Sequence, residues 1–498
     1  MKQGIDAFRW SPDGSRLLLT VRDEDAVDEA VTDKNAKELT PKPWVVDRLQ
    51  TKEDYTGYLH NRLGHTHLYV QEMSSGCVAQ VNSGSWDEGG AKWSPCGDHI
   101  AFVSDRSPVP DAEFSDNVYV VSADNSDRGR TLLQITDHAN CSVSSAVWSP
   151  DGKTLAYTFS PRKSDVFWYV TQHVAVAASD GSERATSGKW SGGGHVLTRA
   201  MDRNLSQIRF ASSGESIFAT VEDSGAVHLI FISLAVPCDP GADSEHHLLI
   251  GGDLAVKSYS MSLDGTTTVA LVSTPQSPAE VHLVDAGLVE AGNPSGLRQL
   301  THANDELLGG VTLGAVHKVT VPCTDVRDYT ALGNREMRID RTTDAVEMFV
   351  VMPPGAAMSA NRGVRYPTIL WNHGGPVGQY DYSFSENAQL FANAGYVVLL
   401  VNPRGSTGRG EEFCAALYAD WGGPATHDVL TAVDYAVDVL GVADPDRLGV
   451  GGWSYGGILA NYVITADQRF KAAMSGASQF LFTAAYGHDQ YQLLWEAA

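Results

Sequence analysis

Arg447-Leu448-Gly449-Val450 leads through Gly452-Trp453-Ser454-Tyr455-Gly456-Gly457 into the apolar run Ile458 to Ile464, and reads as strand, tight turn and helix. That is the setting a Gly-x-Ser-x-Gly nucleophile elbow requires. The turn is so tight that Cβ atoms two residues before and two after the serine would collide, which is why those positions are glycine. Ser454 is therefore the candidate nucleophile. Upstream, the predicted strand Thr368 to Asn372 ends in His373-Gly374-Gly375-Pro376, whose small residues expose backbone N–H groups at the carboxyl edge of a sheet. With the N–H of Tyr455, such donors suit an oxyanion hole. Taken alone, His373 to Pro376 is as easily a plain strand-to-helix turn; paired with the elbow it gains a role.

Working outward, the same alternation of β runs and amphipathic helices extends back to about residue 310. Val346 to Met352 and Tyr396 to Val401 read as buried strands and Glu386 to Ala394 as a helix. Thr426 is expected to cap a helix with Val429, Val433, Val437 and Leu440 on one face, ended by Gly441. Residues 310–498 thus predict an α/β domain built on a doubly wound sheet.

Residues 1–309 follow another rule. Trp10-Ser11-Pro12-Asp13-Gly14 returns as Trp93-Ser94-Pro95-Cys96-Gly97 and Trp148-Ser149-Pro150-Asp151-Gly152, then more weakly as Phe210 to Gly214 and Met261 to Gly265. After a longer first interval the spacing is roughly 50 to 60 residues, the period of a blade repeat. Each phrase supplies a turn and is followed by a β run, such as Arg16 to Val21 or Thr154 to Phe159. Two repeats close on similar phrases, Gln134-Ile135-Thr136 with His138 and Gln299-Leu300-Thr301 with His302. The region reads as an all-β propeller, its tryptophans and histidines serving core and turns. His65 and His67 lack the further ligands a metal site needs. The charged stretch from Asp23 to Asn61, with Lys42-Pro43-Trp44, reads as a long excursion between strands.

With 60 Asp+Glu against 36 Lys+Arg, the formal charge of −24 offers no attraction to phosphate backbones or anionic lipid, so nucleic-acid and membrane partners are not expected. The six cysteines show no CxxC spacing and read as reduced thiols. Met1-Lys2-Gln3-Gly4 opens no apolar leader, so the chain as written is expected to be cytoplasmic.

The chain resembles the prolyl oligopeptidase family of serine peptidases, most closely its acylaminoacyl-peptidase-like branch. The motifs are joint: the repeats, His373-Gly374-Gly375-Pro376, Asn402-Pro403-Arg404-Gly405-Ser406, Asp420-Trp421-Gly422-Gly423, Ala443-Asp444-Pro445-Asp446-Arg447-Leu448 and the elbow around Ser454. The resemblance implies a seven-bladed propeller that admits short peptides to an α/β-hydrolase domain. It further implies attack by Ser454, an oxyanion held by the N–H groups of Tyr455 and Gly375, and no cofactor. Arg404 and Trp421 to Gly423 are expected to shape the floor of the site, Arg404 by ordering loops or meeting a substrate carbonyl. A structural ion pair of Arg404 with Glu411 or Asp428 is the competing reading.

The family's catalytic Asp and His follow the elbow in chain order. Beyond Ser454 stand only Asp467, His488 and Asp489, and none takes either role by motif. The catalytic Asp and His are therefore expected to be absent, with the hydrolase domain truncated, the propeller short of its first blade, and the 498-residue chain inactive as written. Short or N-terminally blocked peptides are the expected substrates of the full-length form. An esterase of the same fold is one alternative, and a non-catalytic peptide-binding propeller with a remnant hydrolase domain is another.

Overall fold

Each Ser-Pro-Asp-Gly phrase bonds its own backbone into a turn. Ser11 Oγ donates to Asp13 Oδ1 (2.6 Å) and accepts the N–H of Arg16 (2.9 Å), while Gly14 takes φ 71° and donates to Ser11 O. Ser149 with Asp151 and Ser262 with Asp264 repeat the pattern. The structure, a computed structural model, describes residues 5–23, 52–53, 57–58, 65–108, 115–124, 128–138, 141–161, 171–181, 185–186, 194–235, 244–285, 296–323, 345–358 and 363–485. Most of the excursion from Asp23 to Asn61, and His488 with Asp489, lie outside them.

Every phrase closes the first hairpin of a four-stranded antiparallel meander. The first comprises Ile5–Trp10, Arg16–Arg22, Thr66–Glu72 and Val78–Gln80. Two more separate sheets follow, and then two meanders joined by a single parallel bridge between Val227 and Ala255. Five such meanders are thus found among the described residues. They stack face to face in chain order: Leu18 and Leu68 of the first pack with Ile100 and Phe102 of the second, and Leu155 and Tyr157 of the third with Val118 and Val120 of the second. The repeated tryptophan stitches neighbours together, since Trp93 Nε1 donates to Arg9 O (3.1 Å) and Trp148 Nε1 to Lys92 O (3.2 Å). Histidines of the closing phrases also serve structure: His138 is buried and its Nε2 lies 3.0 Å from Tyr157 Oη.

The sheet changes character after Gln299. Six strands, β1 (Val316–Pro322), β2 (Ala345–Val351), β3 (Tyr366–Asn372), β4 (Val397–Asn402), β5 (Ala443–Trp453) and β6 (Phe470–Gly476), form one sheet in the order β1-β2-β4-β3-β5-β6. The pairs β1/β2 and β2/β4 are antiparallel, and β4/β3, β3/β5 and β5/β6 are parallel. Helix α1 (Glu386–Asn393) covers one face through Ala388 and Ala392, while α2 (Gly423–Asp434) and α3 (Tyr455–Ala466) cover the other through Val429, Val433, Ile458 and Val463. All six residues of β4 are buried, as its continuous apolar run predicts for a strand covered on both faces, though it runs parallel to β3 only and antiparallel to β2.

The expected cap at Thr426 is corrected. Helix α2 begins a turn earlier, at Gly423, where Pro424 fits the first helical turn and Asp420 Oδ1 accepts the N–H of Gly423 (2.8 Å). Thr426 is buried inside the helix. At the other end α2 passes into a π-helical turn, Tyr435–Val439, before Gly441 at φ 67° redirects the chain.

Candidate active site

Three elements converge on Ser454. Strand β5 ends at Trp453, α3 starts at Tyr455, and Ser454 between them holds φ 57° and ψ −124°, outside the basins of an L-residue. Such a conformation costs on the order of 1–3 kcal/mol and persists only where surrounding structure enforces it. Here the enforcement is visible: Ser454 N–H donates to Gly476 O (2.9 Å), and Ser454 O accepts from Gly457 N (2.9 Å) and Ile458 N (3.1 Å). The glycines leave no room for side chains. A Cβ on Gly452 would stand 2.5 Å from the Gly456 backbone, and one on Gly456 would stand 2.2 Å from Asn372 O.

The Ser454 side chain is exposed, and among the described residues no histidine or carboxylate is hydrogen-bonded to it. Tyr455 begins α3, an end whose backbone donors and dipole favour negative charge. The glycine loop after β3 lies beside the elbow: a Cβ on Gly374 would sit 3.5 Å from Ser454 Cβ and 3.2 Å from Trp453 O. Gly375 follows at φ 130°. The Tyr455 hydroxyl donates to Trp421 O (2.9 Å), and the two rings meet edge to face, so Trp421 packs beneath the nucleophile's neighbour.

Both ring nitrogens of His373 are engaged away from Ser454's hydroxyl, by Gly374 and Ser406. Its Nδ1 lies 2.8 Å from Gly374 O, an acceptor, so Nδ1 carries the proton there; Nε2 lies 3.0 Å from Ser406 Oγ. Burial holds its pKa below the usual imidazole range, only partly opposed by the bond to Gly374. His373 therefore stays neutral and ties the glycine loop to the Pro403–Ser406 turn. Asp467, the described carboxylate beyond the elbow, caps the far end of α3 and pairs with Arg469 (2.8 Å).

Arg404 is 1% exposed and clasps Asp428: its Nη2 lies 2.6 Å from Oδ1, its Nε 3.0 Å from Oδ2, and its backbone N–H donates to Oδ2 at 2.8 Å. Burial pushes the Asp428 carboxyl up, but bonds from His427 and Arg404 and the guanidinium charge together bring it below its usual range. Cys323 donates its thiol to the same carboxylate (3.2 Å), and burial with the adjacent charge pushes that thiol up to about 12. The trio Cys323, His427 and Asp428 has metal-ligand types, but its carboxylate is already neutralised by Arg404 and its thiol is held protonated, which does not suit a cation.

Sequence reasoning missed the residues that hold the glycine loop from behind. Asn402 accepts the N–H of Tyr380 (2.7 Å) and donates to Tyr380 O (2.9 Å), and the Tyr380 hydroxyl donates to Trp371 O (2.8 Å). The available signal was Asn402 itself, a polar residue ending an apolar strand. Separately, a cavity of about 300 Å³ opens among the first three meanders, with Asp87, Glu88, Asp116 and Arg22 in its wall. None of its lining residues comes from the elbow.

Residues 382–497 match the prolyl oligopeptidase family. Across 95% of its length the chain is 29% identical to the uncharacterized peptidase YuxL of Bacillus subtilis, of which it covers 66%. Over 79% of its length it is 25% identical to dipeptidyl-peptidase 5 of Trichophyton equinum, covering 50% of that protein. The chain thus spans about two thirds of the first relative and half of the second. Among solved structures, the Pyrococcus horikoshii acylaminoacyl peptidase superposes with a TM-score of 0.73 at 20% identity, over 100% of this chain and 66% of that one. This likeness shows a shared fold of propeller and hydrolase, and the resemblance read from the motifs is borne out at the level of the family.

Proposed function

We propose that this chain, whose residues 382–497 match the prolyl oligopeptidase family, carries the nucleophile and oxyanion donors of a serine peptidase acting on short or N-terminally blocked peptides. The observation that carries this reading is the strained Ser454 elbow with the Gly374–Gly375 loop beside it. Ser454 Oγ attacks the scissile carbonyl carbon. The oxygen that gains charge is held by the N–H groups of Tyr455 and Gly375. Collapse expels the amine, which takes up a proton, and leaves an ester on Ser454 that water then cleaves. The hydroxyl proton must pass to an imidazole, which the described residues do not place at Ser454.

Support for peptides comes from the repeats, since a propeller of the expected seven-bladed type restricts entry by size. The division of labour falls near residue 310. An acylaminoacyl peptidase of the same fold, at 19% identity, is known in complex with Z-Gly-Gly-Phe-chloromethyl ketone, a peptide-like ligand. Against a non-catalytic remnant stands the strain itself: a serine relieved of its chemistry has no reason to keep φ 57°. An esterase shares this chemistry and is separated by comparing peptide arylamides with esters.

The test is labelling of the longest native form of the protein with a fluorophosphonate, followed by peptide mapping. The adduct is expected on Ser454, and Ser454→Ala should leave only the residual of about 10³ to 10⁴ over water that binding and oxyanion donors sustain. Labelling elsewhere with Ser454 untouched overturns the assignment.

A further inference from the structure

In the fourth meander, Ser224 and Gly225 join Ser216–Asp223 to Ala226–Ser233 as a two-residue turn with φ 48° and 70°. Positive φ at both central residues is the type I′ hairpin. At an ordinary hairpin tip the turn's backbone groups would go to water. Here they go to loops and an edge strand of the hydrolase sheet. Ser224 N–H donates to Gly408 O (2.9 Å), Gly225 O accepts from Tyr382 N (2.8 Å), and Ser224 O accepts from Lys318 Nζ, itself 2.8 Å from Glu347 Oε1.

One side chain joins both sides of this contact. Gln379 Oε1 accepts the N–H of Gly225 (3.1 Å), and its Nε2 donates to Ala226 O (3.2 Å). The partners are one donor and one acceptor, so only this amide orientation satisfies both. The fit is close on each side: a Cβ on Gly225 would meet Phe349 Cζ at 2.9 Å, and one on Gly408 would meet Gln379 Oε1 at 2.3 Å. Gln379 also sits in the segment that carries Gly374 and Gly375, between Gly378, whose carbonyl accepts from Thr407 N (3.0 Å), and Tyr380, held by Asn402.

We infer that Gln379 is a positioning residue through which the Ser224–Gly225 turn of the propeller sets the glycine loop against Ser454. The inference deepens the function proposed above and rests on it for the chemistry. Loss of the carboxamide frees one of the loop's anchors while leaving Asn402 and Thr407 in place. A misplacement near 1 Å can cost about 100-fold in rate, so releasing one anchor of several is expected to lower kcat by about ten-fold.

The experiment compares wild type with Gln379→Met, which keeps the volume and loses both bonds, in the longest native form of the protein. Expected are a kcat on a peptide arylamide down about ten-fold with KM changed less than about two-fold. Amide hydrogen exchange should rise at residues 374–382 and stay unchanged in the strand Ser216–Asp223. Unchanged exchange at 374–382 overturns the clamp. Raised exchange with unchanged kcat, or a KM effect alone, overturns the positioning role. Wild type without Ser454-dependent turnover would sink the proposed function, while the exchange arm would still decide the clamp. Should Gln379→Met fail to fold, the isosteric Gln379→Glu carries the same test, since its carboxylate accepts from Gly225 but opposes Ala226 O.

Discussion

At the scale of single residues, Arg404 and Ser454 show two uses of a costly state. Arg404 and Asp428 are taken fully out of water, and their bidentate geometry offsets the desolvation. Removing one partner leaves the other charge buried and unpaired. Arg404→Met is therefore expected to cost about 3–5 kcal/mol in urea unfolding, with kcat/KM of the folded protein changed less than about two-fold. A loss of kcat/KM at unchanged stability would instead place Arg404 on the substrate. Because the Asp428 carboxyl lies below its ordinary 3.8 in the folded protein, its stabilisation is present above that pH and is lost as pH falls through the folded value. Arg404→Met should remove that acid dependence. Ser454 differs, since its strain is held at an exposed position by neighbouring backbone.

Among elements, the elbow is a problem in close approach between β5, α3 and the end of β3. Gly456 faces Asn372 O at 2.2 Å from where a Cβ would stand, and backbone cannot swing aside. Gly449, on β5, has its nearest such neighbour at 3.7 Å. Gly456→Ala is accordingly expected to destabilise by about 3 kcal/mol or more, and Gly449→Ala by less than about 1 kcal/mol. Equal midpoints in chemical denaturation for the two variants would refute this account. The start of α2 carries a different lesson. Thr426 has the right chemistry for a cap, yet Gly423-Pro424 and the Asp420 carboxylate already start the helix, and the side chain is drawn into the core.

For the molecule as a whole, propeller and hydrolase sheet meet through directional polar bonds at Ser224, Gly225, Lys257 and Asp202. A junction of this kind specifies orientation more than it adds stability. The same scale governs turnover. Among the described residues no imidazole is hydrogen-bonded to Ser454, so none of them is placed to take its hydroxyl proton during attack. If no residue of 1–498 supplies the base, a protein of that span shows no hydrolysis of a peptide arylamide above the Ser454→Ala background. Serine-dependent turnover by that span would assign the base within it, with His488 the first residue to replace.

The blade turns, the buried strand Val397–Asn402 and the elbow were all legible in the amino-acid order, because each is decided within a few residues. Pro and Gly preset turn angles, an unbroken apolar run suits a strand covered on both faces, and glycines flank a serine only where side chains would collide. What the order of residues could not show was pairing across distance. Whether Arg404 would meet Glu411 or Asp428, that His373 would meet Ser406, and that Gln379 would meet a turn 154 residues away at Gly225 were settled by packing. Long polar side chains have several partners within reach in the unfolded chain. Only the folded arrangement, where a buried donor left unmatched costs about 1–3 kcal/mol, selects one.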